Sequence, residues 1–295
     1  MLKRLAQIAL IAGGLVVLLM VLTMGWLKAH EDEMVFAAAR GRQHLLTVLP
    51  ADAQRVTVPE PSGIALAALM YRADGNAGDA FWVLHLHGNG DSAFSPWQVR
   101  HCEALRGVGF NVQEIDYQGF GPTPGKPSEA AMYEDAEAAY QDLLRRGIPA
   151  NRIILLGHSL GSGPAVWLAT RHTAAALVLF GAFTSIPDAA AYRYPYLPVR
   201  MAVGVQFNSL ARIGDVHMPV VIAHSRDDKL IPYSQALTLL AAANEPKHLI
   251  TFDTASNDGF GGHVDALYDH VDILKATLAA LIPALGERSV AQTPQ

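Results

Sequence analysis

Residues 152–171, RIILLGHSLGSGPAVWLATR, decide the fold of this chain. An apolar run at 152–156 precedes the pentapeptide Gly157-His158-Ser159-Leu160-Gly161, and a helix-compatible segment follows at 164–171. Glycines on both sides of a serine permit a tight, strained turn that lifts the hydroxyl clear of the backbone. The stretch therefore predicts a strand-to-helix turn with Ser159 as a nucleophile. A Gly-rich turn without chemistry is the alternative, and partners elsewhere in the chain decide between the two.

Short apolar runs alternate with helical patterns on both sides of this turn. Such alternation is typical of a parallel sheet wrapped by crossover helices. The sequence thus predicts an α/β fold with a mostly parallel sheet of eight strands flanked by helices. The candidate strands are 55–58, 64–71, 81–87, 110–117, 152–156, 175–180, 220–224 and 248–252, and the candidate helices are 96–106, 128–146, 164–171, 232–243 and 264–281.

A short insert at residues 184–214 interrupts this alternation after the sixth strand. It is rich in aromatic side chains, among them Tyr192, Tyr194 and Tyr196. These aromatics either pack a surface helix onto the sheet or line an acyl-binding cleft. The insert is too short to be an independent domain.

Composition excludes several classes of protein. The chain has 295 residues, of which 51% are hydrophobic, which fits one large domain. A net charge of -5 without a cluster of Lys and Arg argues against a nucleic-acid partner. The single cysteine, Cys102, rules out an internal disulfide. His85 and His87 form a metal-like His-x-His pair, but no Asp or Glu follows nearby to complete a ligand set, so we expect neither metal nor cofactor.

The N-terminus reads as a membrane anchor. Lys3 and Arg4 precede a charge-free run at 5–27, and about 20 apolar residues are enough to cross a bilayer. A cleavable signal peptide has a shorter apolar core and an A-x-A-like cleavage site. The run favours an uncleaved, single-pass anchor over a signal peptide or a buried core helix. Since Lys3 and Arg4 favour the cytoplasmic side, the rest of the chain is expected in the periplasm or outside the cell.

These observations divide the chain into four parts. Residues 1–29 form the anchor, 30–53 a polar and amphipathic connector, 54–286 the main domain and 287–295 a flexible tail. In open α/β sheets, ligands bind beyond the carboxyl ends of the strands. The polar residues that directly follow strands are therefore the candidates for a site.

The partners of a serine nucleophile follow the last two strands. Asp228 comes after the seventh strand and His263 after the eighth, so the order is nucleophile, acid, base. We expect His263 to take the proton of Ser159 and Asp228 to fix the histidine tautomer. Asp227 is an alternative acid, and Asp265 reads better as a charge at a helix N-terminus.

The loop His87-Gly88-Asn89-Gly90 follows the third strand. A serine nucleophile needs hydrogen-bond donors here to stabilise the oxyanion that its attack produces. The main-chain N–H groups of Asn89 and Leu160 are the candidates for an oxyanion hole. His158 adjoins the nucleophile and is expected to support its turn. The residues nearest the substrate are predicted to be His87, Gly88, Gly90, His158 and Tyr196.

Taken together, these motifs resemble the α/β-hydrolase superfamily, and within it the membrane-anchored BEM46-like group with its ABHD13-type and ABHD17-type hydrolases. The resemblance covers nearly the whole chain after the anchor. It rests on the anchor, His87 to Asn89, 116–121 with 127–129, 157–163, 183–185, 194–200 and 226–232. Where the group usually has Arg and Tyr in a D-Y-R-G-Y-G stretch, this chain has Gln118 and Phe120. The resemblance implies the nucleophile, acid and base on Ser159, Asp228 and His263.

The function expected from these residues is that of a serine hydrolase. It would cleave a small-molecule carboxylic ester, thioester or lipid through an acyl-serine intermediate. A serine peptidase of the same fold is one alternative. Because fold alone does not fix function, a catalytically silent scaffold tethered to the membrane is another.

Overall fold

A computed structural model describes residues 2–37, 45–75, 77–253 and 258–285. Part of the expected connector at 30–53 and the whole expected tail at 287–295 lie outside the described residues. The domain boundaries therefore stay a prediction.

The core of the fold is one eight-stranded sheet. Its order is β1-β2-β4-β3-β5-β6-β7-β8, in which β2 pairs antiparallel with β1 and β4 and the remaining pairs are parallel. Each strand overlaps its predicted range, so the predicted sheet is confirmed. The strands are β1 (Ala53–Pro59), β2 (Ala65–Tyr71), β3 (Trp82–Leu86), β4 (Asn111–Ile115), β5 (Ile153–His158), β6 (Ala176–Phe180), β7 (Val220–Ser225) and β8 (Lys247–Phe252).

Helices cover both faces of the sheet, and each face has its own apolar core. Serine N-caps start three of them, because Ser95 accepts from Gln98 N, Ser128 from Ala131 N and Ser185 from Asp188 N. The helices are α1 (Leu2–Ala29), α2 (Glu31–Val35), α3 (Pro96–Gly107), α4 (Glu129–Arg145), α5 (Ser162–Ala169), α6 (Ile186–Arg193), α7 (Tyr233–Ala242), α8 (Ala266–Asp269) and α9 (Val271–Leu281).

One predicted helix is broken. The continuous helix expected at 264–281 is divided into α8 and α9 at His270, which takes φ -127° and ψ 37°. These angles are not helical. The ring of His270 stacks on Phe252 of β8, so the break lets this side chain pack on the sheet edge.

Helix α1 projects from the sheet and does not join its core. Residues Lys3–Ala29 are long and apolar enough to cross a membrane by length and composition, and the most apolar window of the helix has no buried part. This exposure argues against the alternative of a buried core helix. The insert after β6 contributes the short helix α6, which lies over the same end of the sheet as the turn after β5.

Two buried histidines lie close together at the end of β5, where His158 is the last residue of the strand. His158 stacks on Phe180 at 4.9 Å between ring centroids, and His101 of α3 stacks on Tyr268 at 3.7 Å. Burial lowers the pKa of His158 well below its usual 6.5, and the nearby charge of His263 lowers it further. Burial likewise lowers the pKa of His101, against the opposing effect of Asp265. Both rings are therefore neutral in the fold.

These two histidines predict that the fold loses stability in mild acid. Below about pH 6.5 the unfolded chain binds more protons at these two positions than the fold does, so the free energy of unfolding falls as pH falls. Each contributes a slope of up to about 1.4 kcal/mol per pH unit. Denaturant unfolding between pH 7.5 and 5.5 should show a shallower slope in His158→Gln, because the amide does not titrate. The exposed His217→Gln is the control, and equal slopes in wild type and His158→Gln would refute the linkage.

Candidate active site

The turn after β5 holds Ser159 in a backbone conformation that few side chains adopt. Its φ is 49°, in the left-handed region. The flanking glycines leave room for this turn, since a Cβ on Gly161 would lie 2.0 Å from Leu86 O and one on Gly157 would lie 2.6 Å from Gly161 O. The turn therefore packs directly on the end of β3, and no larger residue fits at either glycine.

The structure brings Ser159, His263 and Asp228 into one hydrogen-bonded chain. His263 Nε2 lies 2.9 Å from Ser159 Oγ, and His263 Nδ1 lies 2.7 Å from Asp228 Oδ2. His263 is 3% exposed and Asp228 is 6% exposed. This geometry allows the serine hydroxyl to donate to one ring nitrogen while the other donates to the carboxylate.

The carboxylate of Asp228 is held by four donors. Its Oδ1 accepts from Leu230 N at 2.8 Å and Ile231 N at 2.9 Å. Its Oδ2 lies 3.1 Å from His224 Nε2, in addition to the contact with His263. Burial raises the pKa of Asp228, but the hydrogen bonds from His224 and His263 outweigh it and hold that pKa well below 3.8. Asp228 is therefore ionised throughout the neutral range.

His224 escaped the sequence analysis. It lies on β7, four residues before Asp228, and its Nε2 also lies 2.9 Å from Ile231 O. The only sequence signal for a role of His224 was that it is the one polar residue in the predicted strand 220–224. Such a residue in a buried strand needs a partner.

The alternative acids lie in other surroundings. The side chain of Asp227 is exposed, whereas Asp265 pairs with Arg100 at 2.7 Å and lies 3.0 Å from His101 Nε2. The glycines before His263 also have a role, because a Cβ on Gly261 would lie 1.9 Å from Asp227 O. This close passage brings His263 beneath the loop that carries Asp228.

The loop after β3 lies against Ser159. A Cβ on Gly88 would lie 3.2 Å from Ser159 Cβ, so the backbone of this loop passes directly beside the serine. Asn89 and Leu160 both border the cavity at Ser159. The two residues predicted to supply oxyanion donors thus lie on the same side of the site as the hydroxyl.

The five residues predicted to lie nearest the substrate do not line this cavity. His87 is fully buried with Nε2 3.3 Å from Asp116 Oδ1, and His158 is covered by Phe180. Tyr196 is 91% exposed and lies outside the cavity lining, so a substrate contact there stays a prediction. Gly88 and Gly90 shape the loop backbone, and Gly90 takes a positive φ of 73°.

His87 lies at the start of the loop that follows β3 and is held there by several contacts. Burial alone lowers its pKa, but the hydrogen bond and charge of Asp116 outweigh burial and raise that pKa to about 9. Its Nδ1 lies 2.8 Å from Gly88 O, and Tyr117 donates to the carbonyl of His87. These contacts fix the start of the loop that carries Asn89.

The cavity beside Ser159 has a volume of about 290 Å³, at the lower end of small-molecule sites, which run to roughly 1,000 Å³. Its walls are mostly apolar and come mainly from two distant parts of the chain, of which the sequence indicated one. The insert and the residue before it supply Phe183, Ile186, Ala189, Ala190, Arg193, Tyr194, Val199, Ala202 and Val203. The N-terminal part supplies Leu27, Lys28, Glu31, Met34 and Val35. Asn89, Ser159, Leu160 and Ile231 complete the lining.

A separate buried cluster corrects one statement drawn from the sequence. Carboxylates do lie beside the His-x-His pair, because β4 runs next to β3 and places Glu114 3.0 Å from His85 Nδ1. Cys102 donates to the other oxygen of Glu114 at 2.8 Å, and the ligand atoms of these three residues lie within 4.8 Å of one another. Their spacing could hold an ion, but hydrogen bonds within the cluster already satisfy these atoms.

Comparison with known proteins finds hydrolases. The family model described as serine aminopeptidase, S33 (Hydrolase_4) matches residues 81–210. An uncharacterized protein of Mycobacterium tuberculosis is 34% identical over 247 residues, which cover 83% of this chain and 84% of that protein. Lysophosphatidylserine lipase ABHD12 of Danio rerio is 31% identical over 185 residues, 57% of this chain but 48% of that protein.

A solved structure shares the fold. The α/β hydrolase of Vibrio vulnificus superposes with a TM-score of 0.67 at 18% sequence identity, over 83% of this chain and 91% of that one. The strand order, the turn after β5 and the extended match to the mycobacterial protein lead to the same conclusion: the chain belongs to the α/β-hydrolase superfamily.

Proposed function

We propose that this protein is a serine hydrolase that cleaves carboxylic ester or thioester bonds through an acyl-Ser159 intermediate. The hydrogen-bonded chain from Ser159 through His263 to Asp228 carries the proposal. A serine hydroxyl is a weak nucleophile until a positioned base accepts its proton. This arrangement supplies that base.

The reaction runs in two halves. His263 takes the proton as Ser159 Oγ bonds to the acyl carbon, and it then donates that proton to the departing alcohol or thiol as the ester bond breaks. In the second half His263 activates a water, which attacks the acyl-serine and releases the acid and the free serine. Asp228 remains ionised and stabilises the imidazolium at both stages.

The negative charge that develops on the acyl oxygen requires donors beside Ser159. The main-chain N–H groups of Asn89 and Leu160 are proposed for this role, since both residues border the cavity. Leu160 lies in the turn that leads into α5, where N–H groups are unpaired and the helix dipole favours an anion.

The cavity favours an apolar acyl group over a peptide. Among the described residues that border it, Glu31 is the one carboxylate, and it is already paired with Lys28 at 2.6 Å. A peptidase acting from a free amino terminus would need an acidic group available to that amine. The peptidase therefore remains the second candidate, supported by the description of the matching family model.

The expected location forms part of the proposal. Residues 1–29 are proposed to anchor the chain, and the domain at 54–286 to lie in the periplasm or outside the cell. The support is an exposed, apolar α1 with Lys3 and Arg4 before its charge-free run.

Replacing the nucleophile tests the reaction itself. A fluorophosphonate probe should label the wild-type protein and fail to label Ser159→Ala, because the probe bonds to the activated serine. Hydrolysis of p-nitrophenyl acetate should fall at least about 10⁴-fold in the same variant. Undiminished labelling of Ser159→Ala would refute the proposal, and a wild type that is neither labelled nor active would favour the silent scaffold.

The acid can be tested against its neighbour. Asp228→Asn should lower kcat by about 10³- to 10⁴-fold, because an amide no longer holds His263 in the required tautomer. The exposed Asp227→Asn, one residue away, should retain kcat within about threefold. Steady-state kinetics on p-nitrophenyl acetate measure both, and the reverse ranking of the two variants would assign the acid to Asp227.

Cysteine labelling tests the side of the membrane. Cys102 is buried and Ser234 is exposed, so the accessible thiol of the variant Ser234→Cys is the one introduced at position 234. A membrane-impermeant maleimide should label Ser234→Cys in intact bacterial spheroplasts that express the full chain. Leu2→Cys, at the N-terminal end of α1, should react only after lysis. Labelling of Ser234→Cys only after lysis would place the domain in the cytoplasm.

A further inference from the structure

The segment at residues 27–37, here called the N-terminal segment, forms one wall of the cavity beside Ser159. Leu27 and Lys28 end α1, and Met34 and Val35 belong to α2. The opposite wall is formed by α6 and the residues after it. A pocket beside the nucleophile is thus completed by the end of the apolar N-terminal helix.

Glu31 ties this segment to the opposite wall. Its carboxylate accepts hydrogen bonds from Gly204 N and from Val205 N, the latter at 2.7 Å, and it pairs with Lys28. Glu31 is 7% exposed. A carboxylate that is buried and bonded by backbone donors fixes geometry, because leaving those donors unpaired is costly.

A second carboxylate holds the next two amides. Glu129, at the start of α4, accepts from Gln206 N at 2.7 Å and from Phe207 N at 2.9 Å. Four consecutive backbone amides at 204–207 are therefore held by Glu31 on the outer side and Glu129 on the sheet side. The cavity wall is fixed between the N-terminal segment and the core of the domain.

The N-terminal segment also reaches the proposed oxyanion loop. Phe36 is 3% exposed, and its ring meets Phe207 edge-on at 6.2 Å between centroids. The next residue, Ala37, donates its N–H to Asn89 Oδ1 at 2.6 Å. A single short stretch thus contacts the cavity, its opposite wall and the loop beside Ser159.

We propose that the N-terminal segment is a specificity-determining part of the site, and that the acyl chain of the substrate lies between this segment and α6. Glu31 is the positioning residue that holds the two walls at the required separation. This inference rests on the proposed hydrolase function and names the part of the substrate that the cavity takes. Leu27, Met34 and Val35 supply the apolar contact, while the alcohol or thiol of the substrate lies elsewhere.

Chain-length selectivity is the measurable consequence. An acetyl group ends close to Ser159, whereas a dodecanoyl group must extend along the cavity wall. Each methylene bound in an apolar pocket changes kcat/KM by about tenfold or more. Loosening the wall should therefore lower kcat/KM for the long-chain ester more than it lowers kcat/KM for the acetate.

The experiment compares p-nitrophenyl laurate with p-nitrophenyl acetate on the full-length protein in detergent micelles. In Glu31→Ala, kcat/KM for laurate should fall about tenfold or more, mainly through KM, while acetate falls at most about threefold. Glu33→Ala is the matched control, because Glu33 lies on the same short helix with an exposed side chain. Its laurate-to-acetate ratio should equal that of the wild type.

A second variant keeps the Glu31 contacts and fills the cavity. Met34 is 39% exposed, so Met34→Trp can be accommodated without rebuilding the core. It should lower the laurate-to-acetate ratio by about tenfold with unchanged thermal stability. An unchanged ratio in both Glu31→Ala and Met34→Trp would overturn the inference.

Fluorophosphonate labelling separates this result from failure of the proposed function. A wild type that is labelled at Ser159 and hydrolyses acetate supports the proposed function whatever the chain-length result. A wild type that is neither labelled nor active refutes the proposed function. If Glu31→Ala fails to fold, Met34→Trp decides the inference alone.

Discussion

The close approach of two backbones, the turn after β5 and the end of β3, determines the rest of the site. A side chain at Gly161 would collide with the carbonyl of Leu86, and the neighbouring loop at Gly88 passes beside Ser159. The first contact is with backbone and the second is with Ser159 Cβ, whose position the backbone fixes, so neither can be relieved by a change of rotamer. The contact therefore sets Ser159 in its left-handed conformation and places the loop of Asn89 at the hydroxyl. Those positions then determine where His263 must lie.

The sequence predicted the parts of this arrangement that follow from local pattern and strand order. Short apolar runs that alternate with helical patterns located all eight strands. Parallel strands bring their carboxyl ends to one edge of the sheet. Residues in the loops that follow β5, β7 and β8 consequently meet, although Ser159 and His263 are 104 residues apart. The Gly residues around Ser159 were also informative, since each marks a contact that excludes a side chain.

The sequence could not predict contacts that depend on how distant segments dock. His224, Glu31 and Glu114 each form buried hydrogen bonds with partners from other parts of the fold or from a loop that must first be placed. No spacing rule distinguishes such a residue from an ordinary surface charge. The N-terminal segment is the clearest case, because residues after an apolar helix read as a polar connector. Only the tertiary fold shows that the side chain of Glu31 is covered.

The departures from the D-Y-R-G-Y-G pattern change residues that pack around the site, and they leave the walls of the cavity beside Ser159 unchanged. Gln118 donates its N–H and its Nε2 to Asp135, and Phe120 is buried against His87 and Tyr117. Burial raises the pKa of Asp135 to about 7 against the lowering effect of the Gln118 hydrogen bonds. An arginine at position 118 would favour the ionised carboxylate, whereas glutamine only donates hydrogen bonds to it. The exchange of Arg for Gln thus bears on the charge of Asp135, while the cavity beside Ser159 is lined by the N-terminal segment and α6.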